Sequence, residues 1–163
     1  MIKTEKSENL AFLIERGGVY HQMEGSNPRE IIASLIKSLP GIPGLDRDAL
    51  LQASLEREAL MSTGIGRGIA VPHPRNPMLG ENGQPFVAMG FLSEPVDWNT
   101  PDGSRVHTVF LLVSVSAGQH LNTLSKINFL CQQEKILSLV KAQASQDDII
   151  AAIREAEKTW TTT

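Results

Sequence analysis

The apolar positions along the chain fall into short periodic runs divided by glycine and proline. Leu10, Leu13 and Ile14 keep helical spacing, and Gly17-Gly18 stops them. Residues 19–23 read as a short strand. Ser26 or Asn27 followed by Pro28 marks a helix start, because a short polar side chain caps free N–H groups and proline fits the first turn. That helix carries Ile31, Ile32, Leu35, Ile36 and Leu39 and ends at Pro40-Gly41. Asp46 opens another, with Leu50, Leu51, Leu55, Ala59 and Leu60 as its apolar stripe. Ile69 to Val71 predicts a short strand halted by Pro72. Residues 86–92 predict a further strand, and 106–115 one long and apolar enough to be central in a sheet. Residues 119–130 predict a helix with Leu121, Leu124, Ile127 and Leu130 on one face. Residues 136–140 continue helical, and Ser145 caps a last helix bearing Ile149, Ile150 and Ile153. Helices outnumber strands, flank them and alternate with them, which predicts an α/β sandwich with a mixed sheet.

Composition narrows the class. The chain has 163 residues, the size of a single domain, with 41% hydrophobic and 20% charged residues, a globular balance. A net charge of −3 argues against a domain that coats nucleic acid or an anionic membrane surface. Cys131 is the sole cysteine, so it makes no internal disulfide and no cysteine-rich metal site; it reads as a small buried hydrophobe. No run approaches the roughly 18 apolar residues of a spanning helix, and the first residues lack a signal-peptide core. These features predict a cytoplasmic protein with no membrane insertion.

The chemistry concentrates in residues 62–75. Gly64, Gly66 and Gly68 exclude an ordinary helix and permit turns in which N–H groups converge on an anion. No Gly-Lys-Ser/Thr follows, and Pro72 stands where a dinucleotide fold would start its helix, so neither familiar nucleotide loop fits. His73 lies between Pro72 and Pro74, which fix their own φ and push their predecessors toward extended geometry. An imidazole pinned in this way suits a nucleophile that must meet an incoming group in line. On residue types alone, the glycines also fit a plain tight turn with His73 as a loop histidine. The four histidines show no metal-ligand spacing.

The run Ser62-Thr63-Gly64-Ile65-Gly66-Arg67-Gly68-Ile69-Ala70-Val71-Pro72-His73 resembles the active-site segment of enzyme IIA domains of the fructose/mannitol type. These belong to the phosphoenolpyruvate-dependent sugar phosphotransferase system, and the nitrogen-regulatory branch shares the segment. The likeness extends over roughly residues 10–156 and implies one enzyme IIA domain across 1–163. Its implied fold is a three-layer sandwich with helices on both faces of the sheet. The resemblance implies that His73 accepts a phosphoryl group through Nε2. It gives Arg57, within Glu56-Arg57-Glu58, the role of phosphate contact. It places His120, within His120-Leu121-Asn122-Thr123-Leu124, beside the phosphorylated ring. Read alone, Arg57 is a solvated helix arginine and His120 a plain N-terminal helix residue. Thr63, Gly64, Gly66, Gly68 and Arg75 complete the expected phosphate-binding set. Arg67 joins Arg57, Arg75 and His120 in a positive cluster expected around the imidazole.

The implied donor is a histidine-containing phosphocarrier protein. The implied acceptor is an enzyme IIB component or a regulated protein. No metal or organic cofactor is needed for this relay.

One departure from the family pattern stands beside the nucleophile. A small residue usually follows the active histidine, whereas here Pro74 and Arg75 follow. Proline removes an N–H that could reach the phosphate. This favours a regulatory or atypical member. The alternative is a phosphorylation-poor binding module of the same fold that regulates a partner. Residues 78–85 read as a polar, mobile loop near the site, with a turn at Asn82-Gly83.

Overall fold

A computed structural model describes residues 9–80 and 82–160. In chain order the elements are α1 (Leu10–Gly17), β1 (Val19–Met23), α2 (Pro28–Ser38), α3 (Arg47–Leu60), β2 (Gly64–Gly66), β3 (Ile69–Ala70), β4 (Phe86–Val96), β5 (Val106–Val113), α4 (Ala117–Leu130), α5 (Glu134–Lys141) and α6 (Gln146–Glu157). The strands form one sheet in the order β1-β4-β5-β3-β2. β1 runs parallel to β4 and β3 parallel to β5, while β4–β5 and β2–β3 are antiparallel. The sheet is therefore mixed.

Strand periodicity divides the core between two faces. Val87, Met89 and Phe91 of β4, with Phe110 and Leu112 of β5, pack with α1, α4, α5 and α6. Phe86, Ala88 and Leu92, with Val109, Leu111 and Val113, pack with α2 and the start of α3. Cover on both faces explains why β4 and β5 read as nearly continuous apolar runs rather than alternating ones. The result is a three-layer sandwich with helices on both faces of the sheet.

Capping residues set most helix starts. Asn27, rather than Ser26, caps α2 by accepting the N–H of Glu30 at 2.9 Å. Ser26 supports it by donating its N–H and hydroxyl to the Glu30 carboxylate. Asp46 and Ser145 cap α3 and α6 as expected, and Ser116 starts α4 two residues early.

Other expectations change. Glycine-rich β2 is a short edge strand, held by its antiparallel pairing with β3. β4 continues to Val96 beyond a register shift, so it outruns its apolar segment. β5 ends at Val113. Leu60 and Leu121 lie 66% and 64% exposed, so neither belongs to a buried stripe. Leu79 is buried in the core beside α2, anchoring the loop expected to be mobile. Its turn closes where the Gly83 N–H donates to the Gly80 carbonyl at 2.8 Å.

Candidate active site

The segment after β3 is stitched on both sides. The Val71 N–H donates to the Thr63 carbonyl at 3.0 Å, and the Leu112 N–H to the Pro72 carbonyl at 3.2 Å. His73 follows directly and is only 8% exposed. Its Nδ1 lies 2.8 Å from the Val71 carbonyl oxygen. A carbonyl can only accept, so Nδ1 carries the proton and donates it. In the neutral ring the lone pair is then on Nε2. Burial lowers the pKa of His73, the Val71 hydrogen bond opposes that, and the positive charge of Arg57 adds to the lowering.

His120 stands in the first turn of α4, its ring centroid 4.7 Å from that of His73 at an interplanar angle of 50°. Its Nδ1 lies 3.4 Å from the Ser114 hydroxyl. Burial pushes its pKa down to about 4, with the charges of His73 and Arg57 as smaller causes. Two adjacent protonated rings would repel, so a proton on His73 disfavours one on His120.

Arg57 lies in the last turn of α3 and donates from Nη1 to the Met61 carbonyl at 2.7 Å. Arg57 and Arg75 share an open groove of about 570 Å³ with Leu60 and Met78. Arg75 and Pro74 also line a smaller pocket of about 130 Å³ with His120 and Ser114. Arg57 lies within electrostatic reach of both rings, and Arg75 lines concavities on either side of the segment.

Glu58 escaped the sequence reading. Its carboxylate accepts the Thr63 N–H at 2.8 Å, the Thr63 hydroxyl at 2.6 Å and the Trp98 indole N–H at 3.0 Å. It thereby ties the end of α3, which carries Arg57, to Thr63, whose carbonyl accepts the Val71 N–H of the His73 segment. Acceptance by a carboxylate strengthens such bonds. The visible signals were a buried-type Trp98 and the carboxylate next to Arg57, but the 40-residue separation hid their meeting.

The expected phosphate set divides. Thr63 is 4% exposed, and its N–H and hydroxyl both donate to Glu58. Gly64 lies opposite Ala70, its N–H donating to the Ser62 hydroxyl at 3.0 Å. Gly66 and Gly68 flank the β2–β3 turn, before β3, whereas His73 follows it. Five extended residues from Gly68 to His73 span about 16 Å. A Cβ on Gly68 would come within 2.4 Å of the His107 ring, and its φ is +81°. Close packing and turn geometry therefore account for that glycine. Arg67 sits in the same turn, with its N–H on Asp102 at 2.9 Å and its side chain toward Gln132. The positive group within reach of His73 is accordingly Arg57, with Arg75 lining the pocket beside His120 and Arg67 outside this set.

Among the described residues, no cluster of three or more His, Cys, Asp or Glu side chains could hold a metal ion. Nor, among the described residues, is any helix long and apolar enough to cross a membrane. Cys131 is buried, and burial pushes its thiol up to about 12, so it stays protonated.

Residues 13–156 match the family described as "Phosphoenolpyruvate-dependent sugar phosphotransferase system, EIIA 2". The chain belongs to this family. An EIIA 2 relative in Bacillus subtilis, a fructose-specific EIIABC component, is 30% identical over 90% of this chain, which spans 23% of that longer protein. The fructose-specific EIIA component of Haloferax volcanii is 32% identical over 68% of this chain and 73% of its own length. The nitrogen regulatory protein IIA-Ntr of Neisseria meningitidis superimposes with a TM-score of 0.69 at 26% identity, over 83% of this chain and 92% of that one. The same EIIA 2 fold appears in the Escherichia coli mannitol IIA protein solved in complex with phosphorylated enzyme IIB. That comparison has a TM-score of 0.66 at 17% identity, over 94% of this chain and 98% of the other.

Proposed function

We propose that this EIIA 2 domain is a phosphohistidine relay with a regulatory role, loaded and unloaded at His73 Nε2. The observation that carries the reading is the Nδ1–H bond to the Val71 carbonyl, which leaves the Nε2 lone pair free beside His120. In the transfer, that lone pair forms a bond to phosphorus as the donor's N–P bond breaks, and the donor imidazole recovers the electron pair. Arg57, Arg75 and His120 then face the phosphoryl oxygens. Fixed positive groups and neutral donors stabilise charge that spreads over those oxygens in a loose transition state. No metal or organic cofactor enters this scheme.

The donor in this reading is a phosphorylated histidine carrier protein. The acceptor is an enzyme IIB component or a regulated protein. Likeness to nitrogen regulatory proteins of Bradyrhizobium diazoefficiens and Pseudomonas aeruginosa, at 27% and 36% identity, supports the regulatory form. Pro74 supports a second reading, a phosphorylation-poor binding module, because it removes one amide beside the nucleophile.

Incubation with phosphoenolpyruvate, enzyme I and the histidine carrier protein distinguishes the two. The relay reading expects intact mass to rise by one phosphate, with none on His73→Ala. An unmodified protein, under conditions that label a control EIIA, supports the binding module instead.

A further inference from the structure

A second concave site lies at the opposite end of β3 and β5 from His73. Arg67 of the β2–β3 turn, His107 of β5, and Glu134, Leu137, Ser138 and Lys141 of α5 line an open concavity of about 360 Å³. Glu134 contributes the single negative charge in that lining, against two permanent positive charges. The ion pairs found among the described residues use Lys126, Arg154 and Lys158, so neither Arg67 nor Lys141 is neutralised in one. Arg67 reaches toward the α4–α5 connection, where Nη1 approaches the Gln132 carbonyl at 3.5 Å, too long for a strong bond. Its backbone is held at φ +57° by the Asp102 carboxylate, so the turn that aims it is fixed.

His107 completes the wall. Its Nδ1 lies 2.7 Å from the hydroxyl of fully buried Thr108. When that hydroxyl donates, the ring proton is on Nε2 and becomes a further donor. The Lys141 charge lowers the pKa of His107, in addition to burial, which places the two groups within electrostatic reach. Like charges gathered in a concavity repel until an anion enters.

We infer that this pocket binds a small phosphate ester, with Arg67, Lys141, His107 and Ser138 as donors to the phosphate. The chemistry favours phosphate over a carboxylate. Donors from three separate elements suit three tetrahedral oxygens, whereas a planar carboxylate would be satisfied by the guanidinium fork alone. The volume leaves room for a small organic body beside the phosphate, and Glu134 faces that body as an acceptor for hydroxyl groups.

The test uses His73→Ala protein, so phosphate bound at the relay site through that histidine does not obscure the result, and the outcome does not depend on the proposed relay. Inorganic phosphate, glycerol 3-phosphate and, as a neutral control, glycerol are titrated at constant ionic strength while backbone amide NMR shifts are followed. Saturable shifts at Arg67, Gly68, His107 and Ser138 are expected, tighter for the ester than for inorganic phosphate. Arg67→Gln and Lys141→Gln should each weaken binding at least tenfold; both side chains are exposed at the pocket rim, so folding is preserved. Glu134→Gln should leave phosphate binding intact or tighter. Equal affinity for the ester and free phosphate would assign the pocket to inorganic phosphate and overturn the ester. Shifts that follow ionic strength alone, or that appear only near Arg57 and His120, would overturn the site itself.

Discussion

His73 and His120 share one problem of charge. Both are largely withdrawn from water, and Arg57 is close enough to disfavour a proton on either ring. A ring that must attack as a neutral nucleophile gains from this, because its free form persists below the ordinary histidine range. Arg57→Gln should therefore raise both midpoints, which ring-proton NMR titration reads directly. An unchanged His120 midpoint would mean that burial and the His73 charge hold it down without Arg57. The same shifts link pH to stability. An unfolded histidine takes up its proton near pH 6.5 and folded His120 only near 4. The unfolded state therefore binds more protons in that interval, so stability is complete above about pH 6.5 and falls as pH drops toward 4. Urea midpoints at pH 7 and pH 5 should show the loss, and it should shrink in His120→Ala. Glu58 makes a different kind of contribution. Glu58→Ala leaves the Thr63 N–H without its acceptor and the Trp98 indole N–H with only its 3.3 Å bond to the Thr63 hydroxyl, at a cost of about 1–3 kcal/mol in urea unfolding. It should also slow transfer, because the same carboxylate fixes the end of α3 beside Arg57.

At the scale of elements, the β2–β3 hairpin shows what local sequence conveys. The glycines announced a turn, and Pro72 announced the end of the strand before His73. Neither revealed that Gly64 opposes Ala70, or that Gly68 lies against His107 nearly forty residues on. Contacts between distant segments also concealed Glu58 and relocated Arg67. Helix boundaries were legible where a capping side chain acts locally, as at Asp46 and Ser145. Exposure was less legible: Leu60 and Leu121 keep helical spacing, but only tertiary packing decides which face is covered. The hairpin supports a direct test. Gly68→Ala brings a Cβ into the His107 ring and imposes a left-handed φ on alanine, which should cost at least about 2 kcal/mol. Gly68→Ala combined with His107→Ala should cost less than the two changes summed, because the clash then disappears while the backbone strain remains.

Across the whole molecule, the two sides of the sheet are held unequally. β4 as far as Leu92 and nearly all of β5 are buried between both helical layers, whereas α3 fully buries only Leu50 and Ser54. Arg57 therefore rides on the more weakly held element, within electrostatic reach of His73 and His120. Few buried contacts imply an opening free energy below that of global unfolding. Amides in residues 54–60 should exchange with deuterium at least about ten times faster than those of Val109 to Leu112. Their exchange should also depend less steeply on urea, since opening α3 exposes little surface. If both segments exchanged together with the same urea dependence, α3 would belong to the global unit. A phosphoryl group on His73 would give Arg57 an anionic partner, drawing the end of α3 toward the sheet. Exchange in residues 54–60 should then slow on phosphorylation while the strands stay unchanged. Arg57→Gln should abolish that slowing, making the stability of this helix a reporter of the phosphorylated state.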